Sequence, residues 1–250
     1  MEMVYKNGKT ISPNVQQALK YISKVGVMTK EVWCESFCQG TKRWKNKQFQ
    51  ILLENRLLKT HTCGLGNFYV LGDRGTELAR GMEWSLVEPV TPRQIRHDEF
   101  VAHGLLKLER NRLCKNWLTE KELKMRSVGS FLIKDQGEQT KYPDSIFEAY
   151  LGGKFRLVAL EYERNGKTIP RYRSILWSYN KVSQLSMVLF IVEDETIKKR
   201  IKYSLRYLGR VSLLEQIAFM DAKEWKNNPM KGTIELSSTR TSFEKLSLAS

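Results

Sequence analysis

The sequence predicts a mixed α+β protein in two parts, a helical first half closed by a small hairpin and a second half built on a central mixed sheet flanked by helices. Three observations lead there. The chain has 250 residues, which suits two modest domains of roughly 100–150 residues each. Its first half carries three short apolar stripes of helical period followed by two strand-like runs. Its second half alternates apolar strand runs with amphipathic helices, the pattern of a sheet covered on both faces. Hydrophobic residues at 41% and charged residues at 28% exclude wholesale disorder and collagen-like repeats. No apolar run approaches the roughly 20 residues a bilayer requires. The opening MEMVYKNGKTISPN lacks a secretory h-region, so a cytoplasmic location is expected.

Ser12 followed by Pro13 predicts a helix start, with Val15, Ala18, Leu19 and Ile22 on one face and an end by Gly26. Thr29 caps a second short helix through Val32, Trp33 and Phe37, closed by Gly40. Thr41 opens a third in which Phe49, Leu52, Leu53 and Leu57 share a stripe. Strand-like runs at 58–62 and 68–71, joined through a glycine-rich connection, read as a hairpin, and Asp73-Arg74-Gly75 turns the chain into a closing helix. Three helices followed by a hairpin is the order of a winged helix-turn-helix.

Prolines cluster in LVEPVTPR, so residues 86–93 are expected to be a linker between a domain at 1–85 and one at 94–226. From His97 a helix of about fourteen residues follows. Strand runs are predicted at 130–134, 145–150 and 155–163, a helix at 171–181, a buried strand in SMVLFIVED, a cationic helix at 195–208 and a last strand at 216–221. Residues 227–250 are polar and serine-rich and read as a tail.

The formal charge of +15 points to a polyanionic partner, nucleic acid ahead of a membrane surface. Lys42, Arg43, Lys45 and Lys47 crowd the start of the third helix around Trp44. That is where a reading helix needs cations for phosphates and side chains for base edges; a solvated face or a protein-binding face fits the same residues. Cys34, Cys38, Cys63 and Cys114 hold only one close pair and are expected to be reduced core cysteines instead of a zinc site.

In KFRLVALEYER, Glu161 and Glu163 fall on one face of a largely buried strand, and Asp144 begins the strand before it. Buried neighbouring carboxylates are costly unless a cation or a proton settles them, which makes a divalent metal an economical explanation. Such a cluster suits metal-assisted attack on a phosphodiester, with Lys167 or Lys181 neutralising charge. An ion network of these acids with Arg164, Arg171 and Arg173 is the competing reading. Helix 195–208, rich in Lys and Arg, fits either a solvated face or DNA backbone contact.

The order Tyr142-Pro143-Asp144, then Glu161-Tyr162-Glu163-Arg164-Asn165-Gly166-Lys167, with Tyr172 and Tyr179 following, resembles the replication-relaxation group, which includes the MOBC relaxases of mobilisable plasmids. The resemblance implies a winged helix ahead of a PD-(D/E)XK restriction-endonuclease-like domain. It also implies a magnesium- or manganese-dependent endonuclease that nicks one strand of DNA at a transfer origin, working with accessory mobilisation and coupling proteins. Asp144 matches the motif aspartate and Glu161 the metal-binding acid. Glu163 stands where the superfamily places lysine, so the lysine comes from elsewhere, Lys167 first and Lys181 second. Glu99 is a further candidate metal ligand. His61, His97 and His103 are too few and too scattered for a histidine-clustered relaxase site. The nucleophile is expected to be water, assisted by Glu163 or Lys167, with Tyr142, Tyr162, Tyr172 and Tyr179 as tyrosine alternatives. A DNA-binding replication or transcription regulator on an inactive nuclease fold is the alternative function.

Overall fold

The computed structural model describes residues 5, 8, 10–64, 66–88, 92–127, 131, 133–134, 140–208 and 215–248. It shows a mixed α+β fold with helices first and then a seven-stranded mixed sheet flanked by helices. The chain divides into two compact units, Met1–Ala102 and His103–Ser250. No helix among the described residues is long and apolar enough to cross a membrane.

In the first unit, α1 (Pro13–Val25) begins at Ser12 and Pro13 as expected and ends on Gly26, whose φ of 90° is left-handed. A Cβ at that glycine would also crowd the Glu88 carbonyl. Thr29 caps α2 (Lys30–Val32) by accepting from the Val32 N–H. The chain then widens into one π-helical turn, Trp33–Phe37. α3 (Lys42–Glu54) is capped by Thr41. Trp33, Phe49 and Tyr69 pack ring to ring, at 5.8 and 4.4 Å between centroids, and seat α3 on the hairpin. The hairpin is tighter than a five-residue connection, since β1 (Leu58–Cys63) and β2 (Gly66–Leu71) pair until Cys63 faces Gly66. α4 (Asp73–Gly81) follows.

The proline stretch is not a simple linker. Val87 donates its N–H to the Ser23 carbonyl at 2.8 Å, and α5 runs from Pro92 to Arg110, so the unit boundary falls inside that helix; residues 89–91 lie outside the described set. Proline suits a first helical turn, where its missing N–H would be unpaired anyway. The amino-terminal half of α5 belongs to the first unit, where the Glu99 carboxylate accepts from the Thr29 N–H. Burial pushes the Glu99 carboxyl up from 4.5 to about 7, against the opposing pull of the Thr29 bonds. A raised native pKa favours the protonated native state, so stability falls as pH climbs from about 4.5 to about 7, and the penalty persists above that. Glu99→Gln is therefore expected to stabilise the protein by up to ~3 kcal/mol at pH 8 and by almost nothing at pH 4. Thermal melts across that range check it, and an equal gain at both ends would contradict it.

In the second unit the sheet runs β11-β10-β9-β8-β7-β6-β3. The parallel core is β7 (Lys154–Glu163), β8 (Met187–Val192) and β9 (Ile217–Asp221). β6 (Ser145–Leu151) and β3 (Cys114–Thr119) add antiparallel on one side. β10 (Ile234–Glu235) and β11 (Arg240–Thr241) add on the other. The crossover helices α7 (Ile169–Tyr179) and α8 (Glu195–Leu208) pack on each other and over Ile146, Ala159, Val188 and Phe190, which puts both on one face. A short helix α6 (Glu120–Met125) is set by a Thr119/Glu122 capping box. β4 (Ile133–Lys134) and β5 (Thr140–Lys141) form a separate small hairpin; of the strand expected at 130–134, Ser130 and Leu132 lie outside the described residues.

The expectation of a tail at 227–250 fails for the described residues, 227–248, and the strand β3 has no counterpart among the predicted elements. Besides β10 and β11, a helix at Phe243–Leu248 returns to β6, with Phe243 fully buried and its ring 6.2 Å from that of Phe147. Ile234 is likewise fully buried, and Lys198 and Lys202 of α8 both pair with Glu235. A polar-looking segment is ordered because Ile234 and Phe243 find core sites.

Candidate active site

The site grows from strand register. Ser145 pairs with Leu160, so Asp144, one residue earlier, arrives beside Glu161. It is fixed there by the Tyr162 N–H, which donates to Asp144 Oδ2 at 2.7 Å, and by the Glu120 N–H on its carbonyl at 3.0 Å. Glu161 and Glu163 share the face of β7 that α7 covers, and each is only 1% exposed. Tyr162, between them, points away and bonds Glu193.

α7 supplies what these buried acids need. Tyr172 and Tyr179 lie two turns apart and so on one helix face. Tyr179 donates to Glu161 Oε1 at 2.5 Å, and Tyr172 donates to Glu163 Oε2 at 3.3 Å. Lys167 pairs through Nζ with Glu163 Oε1, while its N–H donates to the Tyr172 hydroxyl at 3.1 Å. Burial, then Glu161, then Asp144 and Glu163 hold the Tyr179 hydroxyl well above its ordinary value. The fields of all three acids thus converge on one phenol. Burial and Glu163 likewise raise Tyr172, and Arg200 of α8 pulls it slightly back.

The structure therefore brings Asp144, Glu161, Glu163 and Lys167 to one end of β7. It does not bring the other two candidates there. Glu99 lies in the first unit, its carboxylate taken up by Thr29. The Lys181 ammonium sits 5.7 Å from the Trp177 ring centroid, on the outer side of α7. Sequence reasoning places Tyr172 and Tyr179 on the helix after the ExE strand and offers them as possible nucleophiles, not as donors to the acids. As fully buried side chains that donate to the glutamates, they are holders of the acids. The signal is two tyrosines seven residues apart on the helix after an ExE strand.

Asp144 and Glu161 offer hard oxygen donors suited to magnesium or manganese, which are commonly held by one or two carboxylates together with substrate phosphate oxygens. Among the described residues no group of three or more His, Cys, Asp or Glu is placed to hold a metal ion. Asp144 and Glu161 are thus a pair of carboxylates, short of such a group. All four cysteines are free thiols. His103 is pushed down to about 4 by burial and by Lys107, Lys226 and Arg110, and so stays neutral near pH 7.

In the first unit, Lys42, Arg43 and Lys47 stand exposed on α3 beside a half-exposed Trp44. Lys45 is committed elsewhere, donating to the Cys34 carbonyl at 2.6 Å at the π turn. Comparison with protein-family models, curated proteins and solved structures finds no match.

Proposed function

We propose that the protein is a divalent-metal-dependent DNA endonuclease that nicks one strand, with a winged-helix unit for DNA binding and a PD-(D/E)XK-like unit for cleavage. Its role would be that of a plasmid mobilisation relaxase acting at a transfer origin. The observation that carries this reading is the junction of Asp144 and Glu161 by strand register, with the Glu163–Lys167 pair one step further along β7. The lysine missing from the strand position arrives four residues later and reaches the same acid. Asp144 and Glu161 would hold magnesium or manganese, and that ion when bound polarises a phosphoryl oxygen and lowers the pKa of water. Lys167 would offset phosphate charge, and Glu163, steadied by Lys167 and Tyr172, would take a proton from attacking water. The hydroxyls of Tyr172 and Tyr179 are taken up by Glu163 and Glu161 and that of Tyr162 by Glu193, which favours water over these three tyrosines as nucleophile.

A second reading draws on the near-complete burial of Glu161 and Glu163, each satisfied from within the fold. That is what a regulator on an inactive nuclease fold would show. Relaxation of supercoiled cognate plasmid with magnesium or manganese separates the two. Nicking that EDTA abolishes supports the enzyme, and duplex binding without nicking under either metal supports the regulator.

The basic turn of α3 gives its own prediction. Replacing Lys42, Arg43 and Lys47 together by Ala is expected to weaken duplex binding, with the dependence of log K on log salt falling by about 0.9 for each phosphate no longer neutralised. Replacing Lys45 is expected to act on stability instead, because its ammonium holds the Cys34 carbonyl. Fluorescence anisotropy over a salt series checks both, and an unchanged slope in the triple variant would remove α3 from the interface.

A further inference from the structure

The outer face of α7 and α8 shows a pairing of features that the proposed cleavage site does not use. On α7, Arg173, Trp177 and the flanking Lys181 fall four residues apart, in one helical row. On α8, Lys199, Tyr203, Arg206 and Tyr207 form a second row, opposite the buried Ile197, Ile201 and Leu205. Trp177, Tyr203 and Tyr207 are 41%, 56% and 67% exposed, unusual for rings of this size. The rows are joined where the Arg173 guanidinium lies 3.3 Å from the Tyr207 ring centroid, and within the α7 row the Lys181 ammonium lies 5.7 Å from the ring centroid of Trp177. Neither Lys199 nor Arg206 forms an ion pair with a described residue, whereas Lys198 and Lys202 are spent on Glu235. α7 has no acidic residue, and α8 has only Glu195 at its first position.

A surface that exposes Trp177, Tyr203 and Tyr207 among cations suits a ligand that is both anionic and flat-faced. Unpaired bases on a phosphate backbone have both properties, because every base offers a π-face for stacking and each phosphate a charge for Lys or Arg. A duplex does not, since its bases are already stacked on one another. An apolar protein partner would match the rings and leave the cations unanswered. Arg173, its guanidinium 3.3 Å from the Tyr207 ring centroid, adds a planar cation of the kind that stacks with bases. We infer that the α7–α8 face is a binding site for single-stranded polynucleotide, sequence-tolerant, with Trp177 and Tyr203 as stacking platforms and Lys199 and Arg206 as phosphate contacts. It goes beyond the nicking reading and does not depend on it.

The test uses the full chain in EDTA, so that no cleavage intervenes, with fluorescent oligo-dT, oligo-rU and a duplex as anisotropy probes. The wild type is expected to bind oligo-dT with strong salt dependence. Trp177→Ala and Tyr203→Ala should each weaken it about tenfold, as the loss of one stacked base predicts, and Tyr203→Phe should restore it. Lys199→Ala with Arg206→Ala should reduce the salt slope by about 0.7 per phosphate no longer neutralised. Duplex affinity should stay unchanged in the aromatic variants. Equal or tighter binding of oligo-rU identifies RNA as the source of the strand and still supports the site. Absence of oligo-dT and oligo-rU binding, affinity indifferent to the aromatic variants, or an equal weakening for duplex and single strand would overturn it. Plasmid nicking measured in parallel keeps the two readings apart: no nicking, with aromatic-dependent oligo-dT binding intact, defeats the endonuclease and leaves the strand-binding face standing.

Discussion

Glu161→Gln is expected to abolish metal-dependent plasmid nicking, by about a thousandfold or more, while leaving the fold and duplex binding intact. The side-chain oxygen that remains still accepts from Tyr179, as Glu161 does at 2.5 Å, so the helix keeps its hold on the strand and only the charge is removed. A metal that loses one of two protein carboxylates forfeits several kcal/mol of transition-state stabilisation, and ~4 kcal/mol corresponds to about a thousandfold in rate. Asp144→Asn should match it, because it retains the oxygen that receives the Tyr162 N–H. Neutralising a carboxyl only 1% exposed removes a buried charge, so the melting temperature of Glu161→Gln should not fall. Wild-type nicking rates in either variant would remove these acids from the chemistry.

Phe243→Ala is expected to cost about 3–5 kcal/mol, the range for deleting a fully buried aromatic ring. The ring is fully buried and packs near Phe147 on β6. The same helix is tied to the hairpin of β6 and β7 by the Gly152 N–H, which donates to the Leu246 carbonyl at 2.9 Å. Urea denaturation followed by circular dichroism checks the cost through the shift in midpoint. A loss below about 1 kcal/mol, typical of surface substitutions, would restore the reading of these residues as an unanchored tail.

The contrast between that tail and the sheet centre shows what a sequence makes legible. Strands β6, β7 and β8 are plain because each carries a sustained period or a continuous apolar run, and β8 is buried at every position. The shared face of Glu161 and Glu163 follows from the period of two alone. β3 escapes for a physical reason: its pairing with β6 slips between Lys115 and Leu118 and Asn116 takes a φ of 52°, so a bulge breaks the alternation that would announce a strand. Strands of two residues, such as β10 and β11, have no period to detect. Thr119 and Glu122 do spell a capping box, a readable signal for α6. Glu99 is a ligand candidate only through the resemblance; its partner Thr29 lies 70 residues away in sequence, and a carboxylate spent on a backbone N–H looks the same in sequence as a ligand. Lys167 is legible because its offset of four residues from Glu163 is local, whereas Tyr172 and Tyr179 are visible as residues but not as donors.

The return of Phe243 to β6 also sets an order in time. The centre of the sheet, β6 to β9, is complete in sequence by Asp221, yet one face of β6 stays without its Phe243 cover until the chain has grown almost a hundred residues past Phe147. During synthesis the first unit, with its short-range helices and two-stranded hairpin, can fold early, whereas the second must wait for a distant partner. The acids on β7 are therefore assembled in a sheet whose final closure comes last. A ribosome-stalled chain ending before Ile234 should bind duplex through α3 before it acquires a protease-resistant second unit.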